Sequence, residues 1–581
     1  MRKILLTLLL PCLIFGEDFL KMEDVHTLVS TLLERHEKKT LDQTMIQKAY
    51  VNFLNTFDPH KIYLLKGEVK KVEAKAKRHA KQHFEEYQSK DYSSFHALFT
   101  LAKKAILRSR NLRQSYVFST EPFQEYDTFA PNEAILAERI AVWHTNYKDA
   151  FSEDKENHYL FLHDNGTPFT QKERENCIAL YTVKAFAKTL DAHTSFYDEK
   201  EALKMRQQLE KSFYGIGLHL TESKGAISIL DFIENTPAKE CGMLQIGDTL
   251  IQIDDWHVQG QSLAETLEHL HRPYPKTVRL QFERHGSPFW VTLDKTLIAT
   301  EDGRVSCISI PCKAGTIGII SVPSFYRGAG GISTAEDLKK CVLELKSQGR
   351  LRGIIIDLRN NSGGFLSQAV ESTGLFISSG VVVISKYNDG KTRYFRDIDG
   401  KTLFDGPIIV LTSAMTASAA EIFAGTLQDY GIALIVGDPT TYGKGSIQSQ
   451  TITQGHEDGS YFKVTIGKYY TVSGKSPEKR GVLADISVPG PYFQRKSSES
   501  AIDSIDAAFE DPLIDIHPGL KSWFVRYYLP QAQNKRTHWK KHITRLKALS
   551  YKRLKRHSLP LSPEAQMQET IHILQNALIL L

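Results

Sequence analysis

Two short strings in this sequence hold residues suited to nucleophilic chemistry. Ser418 stands between two alanines, and Lys444 stands between two glycines. A serine hydroxyl becomes a nucleophile only when a base takes its proton, and a desolvated lysine is able to act as that base. The small neighbours of Ser418 leave space for a substrate carbonyl to reach its oxygen. The pair therefore points to an enzyme that transfers acyl groups.

Lys444 must be uncharged to act as a base. A lysine in water has a pKa of about 10.4 and is protonated at neutral pH, so burial has to lower that pKa by roughly 2 to 4 units. Gln448 follows on the same face of a predicted strand, where its amide oxygen is able to hold the amine. Taken one at a time, Lys444 also fits a surface lysine and Ser418 an ordinary helix N-cap.

Backbone N–H groups suited to stabilising an oxyanion occur beside both strings. Residues 357–364 end in two glycines and follow an apolar strand, which places their loop at the carboxyl end of that strand. Glycine lets the backbone approach a substrate closely, so the N–H of Gly364 is one candidate donor. The N–H of Ala419, at the start of a predicted helix, is a second. Such loops also bind phosphates or simply turn.

The segments around these residues predict an α/β core. Four apolar strands are expected, at residues 317–322, 353–357, 407–412 and 433–437. A helix is expected between the first two, at 335–347. Apolar strands that alternate with helices are typical of a largely parallel sheet.

Short β-rich runs separated by glycines follow residue 200. One string is suited to aiming backbone N–H groups at a carboxylate, namely Tyr214, Gly215, Ile216, Gly217 and Leu218. A helix at 263–270, which carries Leu263 and Leu267, would form a groove with the edge strand for an added peptide. The ordered set resembles a PDZ domain. That resemblance implies recognition of a protein C-terminus.

Together, these strings resemble serine peptidase family S41, the C-terminal processing or tail-specific peptidases. The similarity runs from Leu190-Asp191-Ala192-His193-Thr194 to Gln448, with a further match at Phe57-Asp58-Pro59-His60. The family resemblance implies a ClpP/crotonase-like peptidase core. It also implies protein substrates with free apolar C-termini as partners.

The same resemblance implies a role for each candidate residue. Ser418 would be the nucleophile, Lys444 the general base, and Gln448 the residue that orients the lysine. The N–H groups of Gly364 and Ala419 would form the oxyanion hole. Neither a metal nor another cofactor is expected, because no HExxH or comparable metal spacing occurs among the histidines.

The sequence as a whole predicts a multidomain α+β protein. At 581 residues the chain is too long for one hydrophobic core, and its 41% hydrophobic content excludes a disordered or fibrous protein. The expected parts are a signal peptide at 1–16, a helical N-terminal domain at 17–199, a PDZ domain at 200–298, an S41 peptidase core at 299–496 and a helical C-terminal region at 497–581.

The N-terminal residues predict export. Arg2 and Lys3 precede an apolar run at 4–15, and a polar segment follows, as in a secretory signal peptide. A helix of that length reaches about 18 Å, short of the roughly 30 Å of a bilayer core, so an uncleaved anchor is the weaker alternative. The expected location is the periplasm, and the family resemblance implies a Gram-negative-type bacterium.

The cysteines and the net charge limit which disulfides and binding partners are expected. Five cysteines follow the apolar run without a CxxC spacing, so free buried thiols are the default, although Cys307 and Cys312 are close enough in sequence to pair. The net charge of +6 is small, so no nucleic acid is expected. The basic segment 535–557 fits either an exposed helix or peripheral membrane contact. A homo-oligomer is compatible with the sequence.

Three other functions fit less well. A catalytically inactive PDZ scaffold or adaptor would not need the serine, the lysine and the glutamine, which are all present. A phosphate-binding loop needs four residues between its glycines, whereas five separate Gly437 from Gly443, and Gly445 stands where a magnesium-binding Ser or Thr belongs. A Ser-His-Asp hydrolase would place Ser418 in a GxSxG string, which is absent.

Overall fold

The computed structural model describes residues 20–114, 126–146, 153–163, 166–223, 225–271, 275–313, 315–452, 461–493 and 529–580. In the last of these ranges it describes the side chains of residues 542–580. The signal peptide expected at 1–16 lies outside these residues. None of the helices in the described ranges is long and apolar enough to cross a membrane. The chain divides into two compact units, one of Met1–Glu199 with Gln450–Val464 and one of Lys200–Ser449 with Thr465–Leu581.

The first unit is helical. Its apolar side chains recur at helical spacing and meet in a core rich in aromatic rings, among them Phe53, Phe95 and Phe186. Its elements are α1 (Met22–Arg35), α2 (Gln43–Phe57), α3 (Lys66–Arg78), α4 (Ala80–Gln88), α5 (Ser93–Gln114), α6 (Glu133–Asn146), α7 (Glu153–Leu160), α8 (Gln171–Leu190) and β1 (Ser195–Tyr197), which pairs with residues 461–463.

Two buried aspartates end the packed helices α2 and α8. The Asp58 carboxylate accepts hydrogen bonds from the N–H groups of Ile62, Tyr63 and Leu64. The Asp191 carboxylate accepts from the N–H groups of His193 and Thr194, and it lies 2.7 Å from Nε2 of buried His36. Asp58 and Asp191 therefore stabilise the turns that follow α2 and α8.

The second unit begins with a β module, residues 212–299. Its elements are β2 (Ser212–Gly215), β3 (Leu218–Ser223), β4 (Ala226–Phe232), α10 (Pro237–Glu240), β5 (Thr249–Ile253), β6 (Trp256–His257), α11 (Leu263–His271), β7 (Thr277–Arg284), β8 (Ser287–Asp294) and β9 (Thr296–Ala299), and they follow α9 (Glu199–Glu210). The main sheet has the order β3-β4-β5-β7-β8, which leaves β3 at an edge. The strands β2 and β9 pair antiparallel where the chain enters and leaves the module.

A six-stranded sheet forms the core of the second unit. Its order is β10-β11-β12-β15-β16-β19, and all its pairs are parallel except β10 with β11. The elements of the core are β10 (Ser306–Cys312), β11 (Gly315–Ser321), α12 (Thr334–Ser347), β12 (Leu351–Asp357), α13 (Leu366–Gly374), β13 (Gly380–Tyr387), β14 (Thr392–Asp397), β15 (Ile408–Thr412), α14 (Ala419–Asp429), β16 (Ala433–Gly437), β17 (Ser446–Gln450), β18 (Tyr461–Thr471), β19 (Ile486–Ser487), α15 (Leu529–Leu554) and α16 (Pro563–Leu580).

Helices cover both faces of this sheet, which is why its strands are apolar on both sides. One face packs against α12, α13 and α14, with Val342 and Phe423 among the buried contacts. The other face packs against α15 and α16, with Leu546 and Leu574 buried. Side chains of α15 and α16 therefore belong to the core.

Candidate active site

Three loops meet at one edge of the core sheet. The parallel strands β12, β15 and β16 are neighbours, so their carboxyl ends share that edge, where open α/β sheets usually bind ligands. The loops that follow them carry Gly364, Ser418 and Lys444 respectively. Backbone hydrogen bonds join the loops, because the N–H of Ala417 donates to Asn361 O at 3.0 Å and the N–H of Tyr442 donates to Thr416 O at 2.9 Å.

Ser418 occupies a strained turn between β15 and α14. Its φ of 57° and ψ of −118° are unusual for a residue with a side chain, and such strain is common where a nucleophile is presented to substrate. The side chain takes no capping hydrogen bond and is half-buried, so the hydroxyl stays within reach of a substrate. Ser418 thus stands at the N-cap position of α14, but its hydroxyl does not serve as the cap.

The carboxylate of Glu421 binds both candidate loops. Its Oε2 accepts hydrogen bonds from the N–H groups of Ser418 and Lys444, each at 2.8 Å. Its Oε1 accepts from the N–H of Gly443 at 2.7 Å and from the Thr441 hydroxyl. Glu421 is 0% exposed, and this burial raises the pKa of the carboxyl while the donors oppose the rise. One carboxylate oxygen thus brings the backbones of Ser418 and Lys444 together.

The phenol of Tyr469, on β18, makes a second connection between the same two residues. Its hydroxyl lies 3.0 Å from Ser418 O and also contacts Lys444 O, so its single proton is shared between the two carbonyls. Complete burial raises the pKa of Tyr469 well above its usual value, so the hydroxyl keeps its proton at neutral pH. The two backbone segments are therefore held at their N–H groups by Glu421 and at their carbonyls by Tyr469.

Replacing Tyr469 by Phe is expected to lower the free energy of unfolding by about 1 to 2 kcal/mol, because buried carbonyls lose a donor. The measurement is chemical denaturation of the full chain. Tyr394 on β14 is 42% exposed, so Tyr394→Phe serves as the control, with an expected change within about 0.5 kcal/mol. Equal small effects of the two substitutions would show that the Tyr469 hydroxyl does not hold the two segments together.

The glycine loop lies against Ser418. A Cβ on Gly363 would lie 2.9 Å from Ser418 Cβ, and a Cβ on Gly364, whose φ is +141°, would lie 2.2 Å from Phe325 O. Only glycine fits these two positions. Within the described ranges, neither the N–H of exposed Gly364 nor that of Ala419 donates to a protein acceptor. The use of these two N–H groups as oxyanion donors stays a prediction.

Lys444 lies just before β17, and Gln448 lies within that strand. Lys444 is half-buried, which differs from a fully solvated surface lysine. The Gln448 Nε2 donates to Ser446 Oγ at 2.8 Å and approaches Thr465 Oγ1 at 3.4 Å. The amide nitrogen of Gln448 therefore binds hydroxyls within the sheet, and the contact of Gln448 with the lysine stays a prediction. Among the described residues no cluster of His, Cys, Asp and Glu is suited to a metal ion.

The residues predicted to bind a substrate tail lie around β3 and α11. Tyr214 and Gly215 belong to β2, while buried Ile216 and Gly217 form the turn into β3. A Cβ on Gly217, whose φ is +88°, would collide with Thr236 Oγ1 at 2.0 Å. The side chains of Leu218, Leu263 and Leu267 are half-buried, and the N–H of Leu263 donates to Glu222 on β3 at 3.1 Å. The turn, the edge strand and the helix therefore come together.

Sequence reasoning assigned no role to three residues of the site: Glu421, Tyr469 and Asn361. The Ser-x-x-Glu spacing from 418 to 421 is a helix-start signal that was available for Glu421. Asn361 ties the glycine loop to the core, accepting from the Gly363 N–H at 2.8 Å and donating to Val322 O at 2.8 Å. No local signal identifies Tyr469, which lies 51 residues from Ser418 in sequence.

Comparisons with known proteins identify the family of the chain. The model of peptidase family S41 matches residues 316–488, and the model of the tail specific protease N-terminal domain matches residues 28–150. A tail-specific protease of Haemophilus influenzae is 32% identical over 58% of this chain and 49% of its own length. The carboxy-terminal-processing protease of Bartonella bacilliformis is 32% identical over 56% of this chain and 72% of its own length.

The solved photosystem II D1 C-terminal processing protease is 24% identical, with a TM-score of 0.32, over 54% of this chain and 82% of its own. The helical unit and the α/β core, with a strained serine at the carboxyl edge of its sheet, define a multidomain protein of mixed helix and sheet content. The chain belongs to peptidase family S41, among its C-terminal processing members. The alignment spans about half the length, 49%, of the Haemophilus relative.

Proposed function

We propose that this protein is a serine endopeptidase in which Ser418 is the nucleophile and Lys444 is the general base. The observation that carries the proposal is the shared acceptor Glu421 Oε2, which takes the N–H groups of both residues at 2.8 Å. A nucleophile and its base must lie within hydrogen-bond reach of one another during reaction. The strained, uncapped Ser418 and the available N–H groups of Gly364 and Ala419 support the same assignment.

The reaction begins when neutral Lys444 takes the proton of Ser418 Oγ as that oxygen attacks a peptide carbonyl carbon. The N–H groups of Gly364 and Ala419 then stabilise the negative carbonyl oxygen. The protonated lysine returns its proton to the leaving amine, so the C–N bond breaks and an ester to Ser418 remains. A water molecule, deprotonated by Lys444, hydrolyses that ester. The free amide oxygen of Gln448 is assigned to orient the Lys444 amine.

Substrate tails are assigned to the groove between β3 and α11, in a PDZ-type mode. Because β3 is an edge strand, its outer backbone groups are able to pair with an added peptide strand. Within the described residues, the N–H groups of Ile216 and Gly217 donate to no protein acceptor, so they are available to a C-terminal carboxylate. The half-buried side chains of Leu218, Leu263 and Leu267 favour an apolar tail. The proposed location is the periplasm, reached through a cleaved signal peptide.

Cleavage of an unfolded protein that ends in apolar residues tests this function. The full chain is expected to cut it into internal fragments about 10-fold faster than the same protein ending in two aspartates, because carboxylates are costly in an apolar groove. Fragment masses and initial rates are the measurements. Equal rates on both substrates would overturn tail recognition and leave the peptidase assignment standing. Saturable binding without any cleavage would instead identify a non-catalytic adaptor.

A further inference from the structure

Two cysteines outside the candidate site lie close together on the same face of the core sheet. Cys307 lies on the edge strand β10 and Cys341 lies on α12, which covers the same face of the sheet. The Cys307 thiol lies 3.8 Å from Cys341 O, and both cysteines belong to the same hydrophobic cluster. A disulfide needs two cysteines that are close in the folded backbone, and the contact of the Cys307 sulfur with the backbone of Cys341 brings this pair together.

The pairing differs from the one that sequence proximity suggests. Cys312 is five residues from Cys307 on β10, and residues at odd spacing along a strand face opposite sides of the sheet. Cys307 accordingly packs with the core beneath α12, whereas Cys312 packs with the core beneath α15 and α16. A bond between Cys307 and Cys312 would require one of them to cross the sheet.

We propose that Cys307 and Cys341 are a modification site that forms an intramolecular disulfide in the folded protein. The oxidant is a dithiol–disulfide exchange partner or a small-molecule disulfide. The Cys307 thiolate attacks one sulfur of that disulfide and releases a thiol, which gives a mixed disulfide. The Cys341 thiolate then attacks Cys307 Sγ and releases the second thiol, so two protein thiols lose two protons and two electrons to the oxidant. An exported location would supply such an oxidant.

Burial decides the order of these steps. Cys341 is 7% exposed, whereas Cys307 is only partly buried, so an external disulfide reaches Cys307 first. The carboxylate of Glu344 lies 3.8 Å from Cys307 Sγ, and burial together with this charge raises the pKa of the Cys307 thiol. A raised thiol pKa lowers the thiolate fraction of Cys307, which slows formation of the bond, and it makes the Cys307 sulfur a poor leaving group, which slows reduction of the bond. The bond, once formed, is therefore expected to resist brief exposure to reductant in the folded state.

The disulfide would link β10 to α12, which already binds Arg304 and Tyr326 through hydrogen bonds. On α12, Asp337 accepts hydrogen bonds from Arg304 at 2.7 and 2.8 Å and from the Tyr326 hydroxyl at 2.6 Å. Phe325, which precedes Tyr326 in the sequence, donates its N–H to Gly363 O at 2.9 Å. The cross-link closes a loop that contains Phe325, Tyr326 and Asp337, so it stabilises the support beneath the glycine loop against unfolding.

Peptide mapping of the oxidised protein tests the proposal. The purified full chain is incubated with oxidised glutathione, free thiols are alkylated, and the protein is digested without reduction. The expected product is a peptide pair joined through Cys307 and Cys341, with a mass lower by about 2 Da than the sum of the two thiol peptides. Recovery of both cysteines as alkylated thiols after prolonged oxidation overturns the proposal, as does a Cys307–Cys312 link.

Matched variants provide the controls and a second readout. Cys307→Ser should lose the cross-linked pair, while Cys312→Ser, on the same strand, should retain it. The oxidised wild type is reduced under denaturing conditions and refolded. Its midpoint of thermal unfolding should then be several degrees lower than before reduction, whereas the same treatment should not change the midpoint of Cys307→Ser. A reduction-dependent shift of equal size in Cys307→Ser would assign the effect to other thiols and contradict the proposal. Neither readout depends on peptidase activity.

Discussion

Peptide-bond hydrolysis is expected to fall by about 10⁴-fold or more in both Ser418→Ala and Lys444→Arg. Alanine removes the attacking oxygen. Arginine keeps the positive charge and much of the length of lysine, yet it stays protonated at every workable pH and cannot accept the proton of Ser418. The measurement is kcat/KM for an unfolded substrate with an apolar C-terminus.

The controls separate chemistry from folding. Lys475 is an exposed lysine beside Ser476, whose hydroxyl lies against Gly445. Lys475→Arg should therefore keep full activity, which would show that a lysine-to-arginine exchange is harmless in itself. Near-UV circular dichroism should match the wild type in all three variants, because neither catalytic side chain supports the core. Full activity of Lys444→Arg would eliminate a neutral lysine as base, and full activity of Ser418→Ala would eliminate the serine nucleophile.

The features that the sequence predicted well are local. The strand Ala433–Gly437 has the bounds expected from its apolar run, and the helix expected at 335–347 begins one residue earlier, at Thr334. The loop position of Gly364 and the helix start at Ser418 follow from the same kind of pattern. A run of apolar residues and a helix-start signal each depend on neighbours in sequence, so one sequence is enough to read them.

The features that were missed depend on contacts between distant segments. Glu421 binds Lys444 from 23 residues away, and the Cys307 thiol meets Cys341 from 34 residues away. The return of Gln450–Val464 to the first unit is of the same kind. None of these contacts leaves a periodicity in the sequence, because each arises only when the order of strands in the sheet brings the segments together.

Glu421→Gln is expected to lower kcat by about 100-fold or more and to destabilise the protein by roughly 2 to 4 kcal/mol. The two carboxylate oxygens together accept four hydrogen bonds from N–H and hydroxyl donors. A glutamine has the same shape, but its amide nitrogen would face two donors in place of an acceptor. Replacing Oε2 removes the hydrogen bonds from the N–H groups of Ser418 and Lys444, whereas replacing Oε1 removes the one from Gly443, so either orientation weakens the hold on the loop that carries Lys444.

A second glutamate in the same helix position provides the control. Ser333 and Glu336 begin α12 with the same Ser-x-x-Glu spacing, but Glu336 has a 54% exposed side chain and touches neither loop. Glu336→Gln should therefore change stability by less than about 0.5 kcal/mol and leave kcat intact. If Glu421 positions the proposed nucleophile Ser418 and the proposed base Lys444 without reaching a bound substrate, its loss should appear in kcat with KM almost unchanged. A Glu421→Gln enzyme with wild-type kcat and lower stability would show that the shared carboxylate supports the fold alone.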